Sequence, residues 1–319
     1  MTRWAVGVDL GNTRLSVGLV SENGALDCLQ RRATPRAEGA AATIDLLRHM
    51  IAGVLEQAGG RQVCGIGIGF GGPVDWPSQT CRMSHHAPGW ENVRLADALE
   101  RPFGLPVVVE NDANAGGLGE ALFGAARGYG DVLYVNIGTG VGGAVIIAGR
   151  VHHGAHSNAG EFGHMVIDPT GPQCTCGKRG CVEAFCSGDA IGAAARKAHE
   201  SGAFAGVDAA QISGRWVGER AAAGDLEAQA VLGASAERMG FALALAATLL
   251  DPAIIVLGGG VPELGELYLA PVRAAFRQYA MDVPAAQTGV VGAQLGYNAG
   301  VIGAGAVLLT TRSGDGGAG

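Results

Sequence analysis

Two stretches of this 319-residue chain follow one plan. Trp4 to Leu10 is an apolar run, Gly11-Asn12-Thr13 is a turn, and Leu15 to Val20 is a second apolar run. In mid-chain Val132 to Ile137, Gly138 to Gly142 and Gly143 to Ile147 repeat the sequence of run, glycine turn and run. Short apolar runs bounded by turn residues read as buried strands joined in hairpins. A pattern that starts twice predicts two related α/β halves, with a boundary near residues 113–130.

The segments between fit that plan. Ala40 to Gln57 has helical periodicity, with Ile44, Leu47, Ile51, Val54 and Leu55 on one face. Val63 to Phe70 reads as a buried strand ending in Gly71-Gly72-Pro73, and Val107 to Val109 as a strand ending at Glu110-Asn111-Asp112. A small-residue helix follows from about Ala113 to Phe123. Leu226 to Leu250 is a long alanine-rich helix, and Ala253 to Leu257 is a strand running into Gly258-Gly259-Gly260. The last helix is predicted from Ala299 to Leu309 with Asn298 as its N-cap, and the tail SGDGGAG is expected to be disordered.

Composition removes several function classes. Glycine supplies 55 residues, about 17% against a usual ~7%, without a Gly-X-Y period, so tight turns and backbone-lined ligand loops are expected rather than collagen. The net charge of −7 and the lack of a long basic run argue against phosphate-backbone binding, so no nucleic-acid partner is expected. The N-terminus lacks the basic and apolar regions of a signal peptide. The most apolar helical run, Phe241 to Leu250, is too short to span a bilayer, so a cytoplasmic protein without a membrane partner is expected. Seven cysteines suit a disulfide framework poorly. Four of them, Cys174, Cys176, Cys181 and Cys186, are crowded together, which in a reducing compartment points to metal.

Five motifs can carry chemistry. In Asp9-Leu10-Gly11-Asn12-Thr13 a strand-end aspartate can hold magnesium through water, while backbone amides and the Thr13 hydroxyl face phosphate oxygens; the same residues also make an ordinary hairpin turn. Gly138-Thr139-Gly140-Val141-Gly142-Gly143 matches the dinucleotide fingerprint in form, but a strand-like run follows where that site needs a helix. A phosphate-cradling hairpin fits better, with a bare turn as the alternative. Asp112, within Glu110-Asn111-Asp112-Ala113-Asn114, sits at a strand-to-helix junction where its anionic form is stabilised and could take a proton from a substrate hydroxyl. Alternatively Asn111 or Asp112 only caps the helix. His164, Cys174, Cys176 and Cys181 match a closed Cys₃His zinc site of structural type, with Cys186 read as a buried small hydrophobe. Gly258-Gly259-Gly260 would let a flat group such as a nucleotide base approach the backbone, or is a plain loop. His85 and His86 read as solvated loop residues, and His152, His153 and His156 do not have metal-site spacing.

Together these motifs resemble the sugar kinase, heat-shock chaperone and actin superfamily, and within it the ROK family. The resemblance is carried by DLGNT at 9–13, GFGGPVD at 69–75, ENDANA at 110–115, NIGTGVGGA at 136–144, AGEFGH at 159–164, CTCGKRGCVEA at 174–184, GGGV at 258–261 and AGVIGAGA at 299–306. It implies two RNase H-like domains flanking a cleft. The small N-terminal α/β domain would be 1–115, with helix 299–312 packing back on it. The large C-terminal α/β domain would be 116–298, with a zinc loop at 164–181.

The resemblance also implies an ATP-dependent hexose 6-kinase, with glucose the leading substrate. Asp112 would be the general base. Gly72, Asn111, Asp112, Glu161, His164 and Glu183 would meet the sugar. Asp9, Gly11, Asn12, Thr13, Gly138, Thr139, Gly140 and Gly259 would meet Mg-ATP, and a homodimer is usual. N-acetylmannosamine, N-acetylglucosamine, fructose or allose are alternative substrates. A sugar-sensing repressor is a further alternative, although the first hairpin begins at residue 4 and leaves no room before it for a helix-turn-helix. Two departures stand out: Asn12 and Arg14 replace the family's usual glycine and lysine, and the sugar loop reads GFGGP. Asparagine tolerates positive φ, so the turn is expected to survive at Asn12.

Overall fold

The computed structural model describes residues 2–84 and 87–314. His85, His86 and the last five residues of the tail lie outside them. The chain forms two compact units. One comprises residues 1–128, 145–160 and 297–319, and the other 129–144 and 161–296. The first unit therefore continues past the expected division at 115 and takes in the whole helix that follows Asn111.

In the first unit β1 (Trp4–Leu10), β2 (Arg14–Ser21), β3 (Leu26–Ala33), α1 (Gly39–Glu56), β4 (Val63–Phe70), β5 (Val74–Asp75), β6 (Thr80–Cys81), α2 (Leu95–Phe103), β7 (Val107–Asn111) and α3 (Asp112–Phe123) follow in order. The sheet order is β3-β2-β1-β4-β7, with β1, β4 and β7 parallel and β2 antiparallel to both neighbours. Alternate residues of β1 face opposite sides. Val6 and Val8 join a core with Leu47, Ile51 and Val54 of α1.

On the other side Gly7 lies under the C-terminal helix, Ala299–Gly314, which also packs on α3. Backbone contact there leaves no room for side chains. A Cβ on Gly67 would sit 1.8 Å from the Ala304 carbonyl, and one on Gly303 would sit 1.7 Å from the Ala115 carbonyl. Helices this close gain dispersion contact along their whole length.

The second unit begins with β8 (Val132–Ile137) and β9 (Val141–Ile147). β9 runs on into the first unit, where its end pairs with β10 (Arg150–Val151). There follow α4 (Glu183–Cys186), α5 (Gly188–Glu200), α6 (Gly214–Ala222), α7 (Leu226–Leu250), β11 (Ile254–Gly258), α8 (Glu266–Tyr279), α9 (Asp282–Gln287) and β12 (Gly289–Gly292). The C-terminal helix of the first unit is α10. The order β10-β9-β8-β11-β12 repeats that of the first sheet strand for strand, and β8, β11 and β12 are parallel.

α7 corrects the membrane reading. The apolar run at 241–250 is only the last part of a 25-residue helix whose length and composition would suffice to cross a bilayer. Its most apolar window is 56% buried and it packs along α8, as a core helix does. Asp251 ends it in the left-handed conformation at φ 45°. Asn298, expected to cap α10, accepts a hydrogen bond from Arg31 Nη2 at 2.6 Å through its side-chain oxygen.

Candidate active site

Strand register gathers the first group of motifs. Asp9 pairs with Gly69, Gly69 with Glu110, and Phe70 with Asn111, so the carboxyl ends of β1, β4 and β7 form one edge. Loops at such an edge are where α/β sheets hold ligands. Gly11 N donates to the Arg14 carbonyl at 3.1 Å and closes the first hairpin. The Thr34 hydroxyl and amide bind the carbonyls of Gly11 and Thr13, so β3 braces the turn.

Neither Gly11 nor Asn12 has positive φ. The turn forms with Asn12, as expected, but without left-handed backbone, so the tolerance of asparagine for positive φ is not what preserves it. Arg14 stacks over the Tyr297 ring at 5.3 Å.

Asp9 is half-buried at the end of β1. Desolvation by its surroundings, and then the negative charge of Asp112, push its carboxyl up to about 7 despite Arg14 and Arg31. α10 begins directly over it, because a Cβ on Gly300 would lie 2.8 Å from Asp9 Cγ. A buried carboxyl raised by a second carboxylate beside it is a donor set suited to a divalent cation.

Asn111 is the N-cap of α3. Its side-chain oxygen accepts from the amides of Ala113 and Asn114 at 3.0 and 3.1 Å. Its Nδ2 donates to the Gly72 carbonyl and to Asp112 Oδ1, both at 3.2 Å. The same Asp112 oxygen accepts from Ala113 N at 2.9 Å. Asn111 thus caps the helix and ties the glycine loop to Asp112, and Asp112 sits at the positive end of α3.

In the second unit Gly138 N donates to the Gly140 carbonyl at 2.9 Å and closes the β8–β9 turn. The strand after it rules out a dinucleotide fingerprint here, as the sequence indicated. Gly258 pairs with Asn136, so the 258–260 loop leaves the sheet at the same end as the 138–140 turn. Gly259 has φ +88°, and a Cβ there would lie 2.5 Å from the Ile137 carbonyl, so no other residue fits.

Glu161 is exposed, and its Oε2 lies 3.9 Å from His164 Nε2. The other ring nitrogen of His164, Nδ1, lies 3.7 Å from Cys174 Sγ, and Cys176 Sγ lies 3.7 Å from Cys181 Sγ. All four donor atoms fall within 4.8 Å of one another. Donors on a tetrahedral zinc at ~2.3 Å stand ~3.7 Å apart, so this cluster fits a closed site. Burial, and then the neighbouring thiols, push Cys181 up to about 12, so a bound metal would displace its proton. All seven cysteines are free thiols, and Cys186 is buried against the Ser235 carbonyl, outside the cluster.

Glu183 has three partners that its position in the sequence did not reveal, one of them Cys174 Sγ at 3.7 Å from Oε1. Oε2 accepts from Val141 N at 3.0 Å, and Oε1 accepts from the Thr175 hydroxyl at 2.9 Å. A carboxylate has about four acceptor positions, so one remains for a ligand.

The family model described as "ROK family" matches residues 5–311. The chain belongs to the ROK family. Among ROK proteins, the glucokinase of Thermotoga maritima is 34% identical over 308 residues, covering 95% of this chain and 96% of that protein. The N-acetylmannosamine kinase of Shigella boydii is 33% identical over 302 residues, covering 94% and 96%. The crystal structure of a ROK family glucokinase from Streptomyces griseus in complex with glucose and AMPPNP has a TM-score of 0.83 at 35% identity, covering 95% of this chain and 98% of that one. The mixed α/β fold of this ROK chain is that of the sugar-kinase structures.

Proposed function

We propose that the protein is an ATP-dependent hexose kinase that phosphorylates the 6-hydroxyl of glucose. The carrying observation is the full-length similarity to glucokinases, including one solved with glucose and an ATP analogue. Each unit is read as RNase H-like, because the two sheets share one strand order. Domain limits of 1–115 with helix 299–312, and of 116–298, remain the proposed family division.

In the proposed reaction Asp112 accepts the hydroxyl proton as the sugar oxygen bonds to the γ-phosphorus. The bond from that phosphorus to the β,γ-bridging oxygen breaks, and ADP leaves. Asp112 suits the role because its Oδ1 is held by Asn111 and by Ala113 N. Gly72, Asn111, Glu161, His164 and Glu183 are the proposed sugar contacts. Asp9, Gly11, Asn12, Thr13, Gly138, Thr139, Gly140 and Gly259 are the proposed contacts of Mg-ATP. Magnesium, when bound, offsets charge on the phosphates. Asp9 is its proposed partner through water. His164, Cys174, Cys176 and Cys181 are the proposed ligands of a structural zinc, and reduced thiols at that density suit a cytoplasmic location.

A homodimer is also proposed. Leu245, Leu249, Tyr279, Met281 and Val283 are exposed on and beside α7 and α9 and would supply apolar surface for it. Similarity to an N-acetylmannosamine kinase favours a second reading, in which an N-acetylhexosamine is the substrate. ADP release measured over a panel of hexoses and N-acetylhexosamines separates the two. No turnover with any sugar would end the kinase reading.

A further inference from the structure

Behind the Asn111–Asp112 pair lies a carboxylate that the proposed reaction does not use. Glu110, the preceding residue of β7, is 2% exposed. Its Oε1 accepts from Asn111 N at 2.9 Å and from Asn114 Nδ2 at 3.0 Å. Among the described residues its Oε2 meets His153 Nε2, which lies 2.6 Å away and donates to it in the Nε2–H tautomer. Asn114 is 6% exposed, and among the described residues its side-chain oxygen has no hydrogen-bond partner, so its amide is held there through its contact with Glu110.

His153 is itself fixed. Its ring stacks on Trp76 with centroids 4.2 Å apart and planes 12° apart. The backbone amide of Trp76 donates to Ser157 Oγ at 3.1 Å. The 152–157 segment therefore grips the β5 region and reaches the root of α3 through one imidazole. Neighbouring His152 and His156 are exposed, and neither makes such a contact among the hydrogen bonds of the described residues.

We propose that His153 is a positioning residue for Asp112. It holds the buried Glu110 carboxylate in the orientation that fixes the Asn111 amide and the Asn114 side chain, and so fixes the first turn of α3. Loss of its Nε2 leaves a carboxylate oxygen buried without a donor. The carboxylate must then turn or draw in water, and either movement releases the residues on both sides of Asp112. A general base works only within hydrogen-bond reach of its proton, so the cost falls on the chemical step rather than on nucleotide affinity.

This inference rests on the kinase reading for its catalytic consequence, but not for its structural one. The test compares His153→Phe, which keeps a ring on Trp76 and loses the donor, with His153→Gln, whose amide can donate. Hydrogen exchange over residues 107–123 and steady-state kinetics with glucose and ATP are read on both, with Asp112→Asn as the control for the reading itself. Faster exchange is expected in His153→Phe, with kcat lowered on the order of 10- to 100-fold and the KM for ATP within about twofold. His153→Gln is expected to recover most of both. Unchanged exchange, equal losses in the two variants, or a loss confined to the KM for ATP overturns the proposal. If wild type turns over no sugar, the kinase reading has failed and exchange alone decides this one. If His153→Phe does not fold, Glu110→Gln takes its place: its exchange and kcat should depart from wild type while those of His153→Gln do not, and equal values overturn the proposal.

Discussion

The carboxylate of Glu183 accepts a hydrogen bond from the backbone amide of Val141, 42 residues earlier in the chain and the first residue after the Gly138–Gly140 turn. Its other oxygen is held by Thr175, between two of the clustered cysteines. The thiol loop is thereby tied to the hairpin proposed to hold phosphate. If the cluster holds the proposed zinc, removing it with a chelator is expected to lower the melting temperature and also to raise the KM for ATP severalfold. Thr175→Val should raise the same KM while zinc content, measured by elemental analysis, stays near one equivalent. A chelated enzyme with an unaltered KM for ATP would disprove the connection.

Asp112→Asn is expected to lower kcat by about 10²- to 10⁴-fold, the usual worth of a positioned base. Glucose affinity by calorimetry should change little, because the amide keeps the shape and the Oδ1 acceptor that bonds Ala113 N. A variant that retains full turnover would falsify the assignment.

Asp9 makes stability depend on pH. With its carboxyl ordinarily near 3.8 when unfolded and about 7 when folded, the unfolded chain ionises first as pH rises. The contribution of Asp9 is then greatest below about 4, falls through the interval, and levels off above about 7. The shift corresponds to on the order of 2–3 kcal/mol once the part of Asp9 that still meets water is discounted. Asp9→Asn should therefore melt higher than wild type at pH 8 in the absence of nucleotide, with the difference vanishing near pH 4. It should also lose the stabilisation that Mg-ATP gives wild type. Parallel melting curves at both pH values would count against this account.

The apolar residues at the α7 and α9 surface give a test of assembly. Leu249 is 83% exposed and Met281 63% exposed, so Leu249→Asp should leave the fold intact. If these residues form the proposed dimer contact, sedimentation at micromolar concentration should shift from twice the chain mass to once. An unshifted boundary places the contact elsewhere.

Sequence pattern located the buried strands closely: Trp4–Leu10, Val63–Phe70 and Val132–Ile137 have the expected limits, as does α7. These segments are apolar on both faces because both faces are covered, which makes them stand out from their flanks. β3 was missed because Leu26–Ala33 reads LDCLQRRA and pairs on one side only, so nothing forces alternation on it. The geometry of the proposed site was legible where it rests on a backbone turn or a local cluster, as at 9–13, 138–140 and 174–181. It was not legible where a carboxylate's partner comes from far along the chain. Glu110 with His153 and Glu183 with Val141 are contacts of that kind. Spacing alone cannot show such pairs, because sheet register and loop return create them.

α10 fills the sheet face from Gly7 to Gly67, and its Gly300 lies directly above Asp9. The first unit's sheet, made from the first 111 residues, thus waits for a helix that begins only at Ala299. At ~5–20 residues per second the nascent sheet spends on the order of ten seconds with one apolar face uncovered. During that interval the uncovered face is open to misassembly, so a chain cut after α9 is expected to leave the first unit without its cover.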